Sequence, residues 1–329
     1  MVTPYLRARR DVAENLYAAH NRALIALARR DPRIVSTYGD FPPGEAGTVF
    51  ATECPDRILD VGIAEGHLIT SAAGLADAGF IPFTHCHGIF GVGRAYNQIR
   101  QNVAYDRRNV KIVLCNCGVA WGVLGPSHEV VEDLAALRAV PRLTILSPAD
   151  AVSCEKATYA AAEHLGPVIL RLPPTSDIFP TLYTSDLDYQ IGKAICVREG
   201  RDATILATGI LVSDALLVAE EMEQVGASIR VLDVHTIKPL DEAAVLQAAR
   251  ETGALVTVED ATILGGLGGA VAELTAEQFP VLVQRVGVRD RFGESGKPAE
   301  VMADCQLTPP FIRQAVESVL RRKRQGGNA

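Results

Sequence analysis

Residues 57–79 read RILDVGIAEGHLITSAAGLADAG, and the fold can be worked out from this stretch. The run RILDVGI (57–63) reads as a strand that passes into Ala64-Glu65. The small-residue segment HLITSAAGLADA (67–78) then reads as a helix that stops at Gly79. A strand feeding a helix within a few residues is the start of a βαβ unit. Glu65 stands at the junction, where ligands of open parallel sheets bind. A carboxylate there is also simply favoured by the positive end of the helix, so its position alone leaves both readings open.

The same alternation extends in both directions. Upstream, residues 9–30 show apolar residues at helical spacing, and residues 33–38 read as a strand before a Pro/Gly-rich loop, GDFPPGEAG. Downstream, strands are expected at 80–84, 110–115, 143–146 and 167–172. Helices are expected between them at 93–104, 129–139 and 149–164. The stretch PPTSDIFPTLYTSDLDYQ (173–190) breaks the pattern with Pro, Ser, Thr and Asp. A second alternation follows, with strands at 203–207, 228–233, 254–259 and 281–286 and a last helix at 308–324. The expected class is α/β, with two doubly wound parallel-sheet domains at 1–175 and 191–325, and a linker at 176–190.

Composition narrows the function. The chain has 329 residues, enough for roughly two domains. Its net charge of −7 is spread along the chain, which argues against a nucleic-acid surface. The seven cysteines are odd in number and scattered, as expected of free thiols in a reducing cytosol. No signal peptide or membrane span is read, so a soluble cytoplasmic protein without membrane partners is expected.

Several residues could carry chemistry. His85 and His87 lie two apart at a strand end, and Cys115 and Cys117 follow the next strand in the same way. Together they raise zinc binding as an alternative to a polar pocket mouth with two buried thiols. His128, in GVLGPSHEVVEDL, could be a general acid or base, or a polar anchor, or have no catalytic role. Arg171, at the end of VILRL, could hold a phosphate or carboxylate, or form an ion pair. GGLGG (265–269) departs from the phosphate-loop pattern and reads as a tight strand-to-helix turn.

An ordered set of segments then acts as one signature. These are VGIAEGH (61–67), FGVGRAYNQIR (90–100), GPSHEVVEDLAALRAVP (125–141), SPADA (147–151), LDVHTIKPLD (232–241), VEDATILGGLGGAVAEL (258–274) and RVGVRDRFGESG (285–296). In order and spacing the chain resembles the C-terminal half of transketolase, namely its pyrimidine-binding and C-terminal domains. The resemblance implies a thiamine diphosphate enzyme in which Glu65 hydrogen-bonds the cofactor's pyrimidine ring and so activates it. It also implies that Phe90 stacks on that ring, with Ile63 and Asp40 beside it. His128 would be catalytic and would handle substrate together with His87 and Asn116, and Arg171 would hold a sugar phosphate.

The chain has no GDG motif, since Gly39-Asp40 is followed by Phe41. The resemblance therefore implies a separate N-terminal-type subunit that carries the GDG…N motif and holds the diphosphate and Mg²⁺. This chain would hold no metal, would bind thiamine diphosphate weakly alone, and would assemble as two copies of each chain. The expected reaction is transfer of a two-carbon ketol unit from a ketose-type donor to an aldehyde. The pocket departs from the family, however. Leu124 stands where transketolases carry Asp, Val123 where they carry Glu, Asn116 where they carry His, and His87 where an aromatic is usual. A lost hydroxyl partner changes discrimination strongly. The departures imply a more apolar, less phosphorylated or shorter substrate. The alternatives are a pyruvate- or 2-oxo acid-using enzyme, similar to 1-deoxyxylulose-phosphate synthase or a 2-oxo acid dehydrogenase beta subunit, or a non-catalytic partner.

Overall fold

The computed structural model describes residues 6, 12–39 and 44–326, with backbone alone for 44–48 and 326. The first half runs β1 (Ala13–Glu14), α1 (Leu16–Arg30), β2 (Ile34–Tyr38), α2 (Gly44–Glu53), β3 (Ile58–Asp60), α3 (Glu65–Asp77), β4 (Ile81–His87), α4 (Gly88–Gln98), β5 (Lys111–Cys115), α5 (Asp133–Arg138), β6 (Thr144–Leu146), α6 (Ala151–Glu163), β7 (Val168–Arg171) and β8 (Phe179–Pro180). The second half runs β9 (Ile195–Arg198), β10 (Ala203–Ala207), α7 (Leu211–Gln224), β11 (Ile229–Asp233), β12 (Thr236–Lys238), α8 (Glu242–Thr252), β13 (Ala254–Thr262), α9 (Leu267–Gln278), β14 (Leu282–Val288), α10 (Pro298–Asp304) and α11 (Pro309–Gly326).

Parallel strands covered on both faces read as continuous apolar runs, and Lys111–Cys115 is buried at every position. Side chains alternate between the two faces. Ile112 and Leu114 cluster with Leu68 of α3 and Val92 and Ala95 of α4. Val113 and Cys115 cluster with Leu24 of α1 and Ala157 of α6. The first sheet has seven strands in the order β12-β6-β7-β5-β4-β2-β3. The second has five, β14-β13-β10-β11-β9, parallel except for β9.

The order of β3, β2 and β4 positions the site. Strand β2 pairs with both β3 and β4, so the chain reverses direction across the sheet there. Helix α2, after β2, packs on α1, while α4, after β4, packs on α3. The helices that follow β2 and β4 thus lie on opposite faces, the arrangement at whose carboxyl ends ligands of open α/β sheets bind.

The structure differs from the sequence reading in several places. Helix α1 starts at Leu16 because Asn15 caps it, its Oδ1 accepting from the Ala18 amide at 2.8 Å. Residues 9–11 of the expected helix lie outside the described residues. Helix α2 begins within the segment read as a loop and runs on past it to Glu53. Helix α4 begins directly at Gly88, with no loop after β4. The expected helix at 129–139 shrinks to Asp133–Arg138 and follows a 3₁₀ turn at Gly122–Ser127. The stretch read as a linker is pinned down: Leu182, Tyr183 and Leu187 are buried and β8 pairs with β1. Strand β12, from the second half, joins the first sheet antiparallel to β6. Among the described residues no helix is long and apolar enough to cross a membrane.

Candidate active site

Glu65 is the first residue of α3. A tight turn delivers it: the Gly62 amide donates to Asp60 Oδ1 at 2.8 Å, and the Ala64 amide donates to the Gly62 carbonyl at 2.7 Å. The carboxylate is only 5% exposed, at the positive end of the helix. Among the described residues one cation reaches it. Arg94 Nη1 lies 3.6 Å from Glu65 Oε2. The same guanidinium sits 4.9 Å above the centroid of the Phe90 ring. Phe90 and Arg94 are four residues apart on α4, so they share a face.

The abrupt step from β4 into α4 depends on Gly88. A Cβ there would lie 2.6 Å from Cys117 Sγ and 2.7 Å from Val130 Cγ1. That close approach places His87 at the strand end beside Phe90. His87 stacks on Trp121, with ring centroids 5.0 Å apart and planes at 16°, and meets Phe90 edge-on at 5.8 Å. His128 closes the cluster, 5.3 Å from Phe90 and 5.7 Å from Trp121.

Asn116 sets the His87 tautomer. Its Oδ1 accepts from the Thr175 amide at 2.8 Å, so its Nδ2 faces His87 Nδ1 at 2.9 Å. An amide nitrogen only donates, so His87 Nδ1 accepts and the ring proton resides on Nε2. Burial, and then the neighbouring His128, push the His87 pKa down to about 4 against the pull of Glu65. His87 is therefore a neutral donor at ordinary pH.

The second half of the chain holds the loop that carries Trp121 and His128. Gly118 and Val130 bond to each other at its base, and the Gly296 amide donates to the Gly122 carbonyl at 2.9 Å. Glu129 lies under Gly293, where a Cβ would strike its carboxylate, and both Glu129 oxygens are buried without a hydrogen-bond partner among the described residues. Burial, and then Glu294, push the Glu129 carboxyl up to about 7.

The structure thus brings Glu65, Phe90, His87, Asn116 and His128 together. It does not bring Arg171. That guanidinium is buried, Nε donating to Asp133 Oδ2 at 2.6 Å and Nη1 to Asp260 Oδ1 at 2.7 Å. Two carboxylates inside the protein meet its charge. Ile63 is 68% exposed on the turn before Glu65. Asp40 lies outside the described residues. The four suggested zinc ligands do not converge: His85 contacts His20 through Nε2 at 3.0 Å, while His87 bonds Asn116. Trp121 and Arg94 were missed by the sequence reading. The position of Trp121, the only tryptophan, in a glycine-rich loop three residues before the altered position 124 was the available signal.

Known proteins agree with this architecture. The model of the transketolase pyrimidine-binding domain matches residues 15–176, and that of the transketolase C-terminal domain matches 192–312. The chain is 41% identical over 300 residues to the 6-deoxy-6-sulfo-D-fructose transketolase subunit SqwH of Clostridium sp. (strain MSTE9), covering 91% of this chain and 92% of that one. It is 38% identical to 1-deoxy-D-xylulose-5-phosphate synthase 1 of Geobacter sulfurreducens, covering 91% of this chain but only 47% of the synthase. A solved structure described as a split gene transketolase, inactive beta4 tetramer, matches with a TM-score of 0.85 and 35% identity, over 94% of this chain and 98% of that one. The buried glutamate at its strand-to-helix junction and these matches lead to one assignment: the chain belongs to the transketolase family, as a pyrimidine-binding domain joined to a transketolase C-terminal domain.

Proposed function

We propose that this chain is the C-terminal-type subunit of a split transketolase that uses thiamine diphosphate and moves a two-carbon ketol unit from a ketose-type donor to an aldehyde. The observation that carries the reading is the buried Glu65 carboxylate, linked to the face of Phe90 through the Arg94 guanidinium. The donor set fits an aminopyrimidine: a carboxyl oxygen for the ring nitrogen and an aromatic face for the ring. Arg94, a planar group bearing N–H donors, already satisfies both at once. When bound, the cofactor supplies a nucleophilic thiazolium carbon for attack on carbonyl groups.

The chain's own residues would do the rest. Glu65 holds or passes a proton at the pyrimidine nitrogen, and Phe90 fixes the ring's tilt. His87 offers its Nε2 proton to a substrate oxygen, with Asn116 preventing the opposite tautomer. His128 shares that wall and is the second candidate for proton handling. The diphosphate and Mg²⁺ belong to an N-terminal-type partner carrying the GDG…N motif, in an assembly of two copies of each chain. Val123 and Leu124 are exposed on the His128 loop, which supports a substrate with an apolar end or fewer hydroxyl groups at that wall.

The test is a reconstituted pair of subunits. Glu65→Gln should lower turnover by about 10²–10⁴-fold while sedimentation shows an unchanged complex. Turnover at the wild-type rate would end the assignment. A pyruvate-using activity is the second reading, supported by the resemblance to the synthase together with the loss of the acidic residues at 123 and 124. Hydroxypyruvate or ketose donors turned over in preference to pyruvate would exclude it.

A further inference from the structure

Arg94 makes the two contacts that the proposed function assigns to the pyrimidine ring. Its guanidinium lies 4.9 Å over Phe90 and its Nη1 lies 3.6 Å from Glu65 Oε2. A guanidinium is flat, cationic and edged with N–H donors, so it can stack on an arene and face a carboxylate together. The aminopyrimidine has the same flat face, and its ring nitrogen is assigned to the same carboxyl group. A ring lying on this face of Phe90 against Glu65 would compete with Arg94 for the space.

We propose that Arg94 is a displaceable stand-in for the pyrimidine ring, which guards Glu65 in the chain before cofactor binds and must swing away to admit it. This rests on the thiamine diphosphate reading. Two further facts support an arm that moves. The Arg94 side chain is 60% exposed, so solvent is available to receive it. The 3.6 Å separation exceeds a direct charge-assisted hydrogen bond, so the hold on Glu65 is loose. Guarding also has a physical purpose. Glu65 is 5% exposed, and a buried carboxylate without a countercharge is costly. The arm supplies the countercharge in the subunit by itself, and leaving it lowers the apparent affinity for the ring. Weak cofactor binding by the isolated chain would then have two sources: the missing diphosphate grip and the occupied ring site.

The experiment uses the full chain and two probes, thiamine diphosphate with Mg²⁺ and the free ring 4-amino-5-hydroxymethyl-2-methylpyrimidine. Calorimetry gives affinity. Fluorescence of Trp121, the single tryptophan, reports arrival at the site, since that indole stacks on His87 beside Phe90. Arg94→Met keeps a flexible stem and removes the cation. It should bind the free ring about tenfold more tightly than wild type, the size expected from one cation–π contact plus one loose ion pair. Arg94→Lys keeps charge without the flat fork and should recover only part of that gain. In a Glu65→Gln background the gain from Arg94→Met should shrink, because the ion-pair share has gone. Equal or weaker binding by Arg94→Met, with wild type binding measurably, overturns the guard and leaves the cofactor reading standing. If no variant binds either probe, and the reconstituted pair does not bind thiamine diphosphate, the cofactor reading falls and takes the guard with it.

Discussion

At the scale of single residues, the site is built by letting polar groups into places that normally exclude them. Glu129 is the clearest case, buried beneath Gly293 with both carboxyl oxygens unpartnered among the described residues. Its carboxyl is pushed up to about 7. The sign follows from linkage. Below the usual glutamate range the proton is bound in both folded and unfolded chains, and the stabilisation is complete. As pH rises, the unfolded chain loses the proton first, and the contribution is lost as pH passes through about 7. Glu129→Gln keeps the shape and cannot ionise. Urea denaturation at pH 5 and pH 8 should show the variant gaining roughly 1–3 kcal/mol on wild type at the higher pH. A difference that does not change with pH would show that Glu129 ionises freely in the fold.

At the scale of elements, helix α6 shows how one cap can tie distant segments together. Asp150 Oδ1 accepts from the Ser153 amide at 2.7 Å, and Ser153 Oγ accepts from the Asp150 amide at 3.0 Å, forming a capping box. The other oxygen, Oδ2, accepts from the Leu182 and Tyr183 amides at 2.8 and 2.9 Å. One carboxylate thus starts a helix and fastens the crossing between the two halves. Asp150→Ala removes the cap and leaves two buried amides unpaired, a loss of about 3–5 kcal/mol. Chemical denaturation measures it, and a loss near 1 kcal/mol would indicate a cap alone. SPADA was legible as a helix start, but the two amides some thirty residues later were not, because no local pattern links them.

At the scale of the whole molecule, the two halves are joined by charge as well as by β12. Arg171 ends β7, Asp133 begins α5 and Asp260 lies on β13, so the ion pairs join both sheets through the helix that follows the His128 loop. Arg171→Met would leave two carboxylates buried without their countercharge, destabilising the fold by about 3–5 kcal/mol. Thermal unfolding should show a lowered midpoint that added salt does not restore, since buried pairs are screened little. A midpoint within a degree of wild type would mean that the carboxylates find other partners.

What the sequence determined by itself was the alternation of apolar strands and amphipathic helices, and with it the glutamate at a strand-to-helix junction. Both follow from periods of two and 3.6 residues, which act over a few neighbours. The order of family segments added the expectation of thiamine diphosphate, of a partner supplying the missing GDG motif, and of a stacking role for the aromatic at position 90. Only the tertiary structure decided which polar groups meet. Arg171 and Asp260 are 89 residues apart in the chain, and His87 and Asn116 are 29 apart. Whether an arginine faces a sugar phosphate or two carboxylates depends on how the sheets pack, and no residue's neighbours in sequence carry that information. The same holds for the arm on Glu65, where α3 and α4 bring together side chains that the chain keeps nearly thirty positions apart.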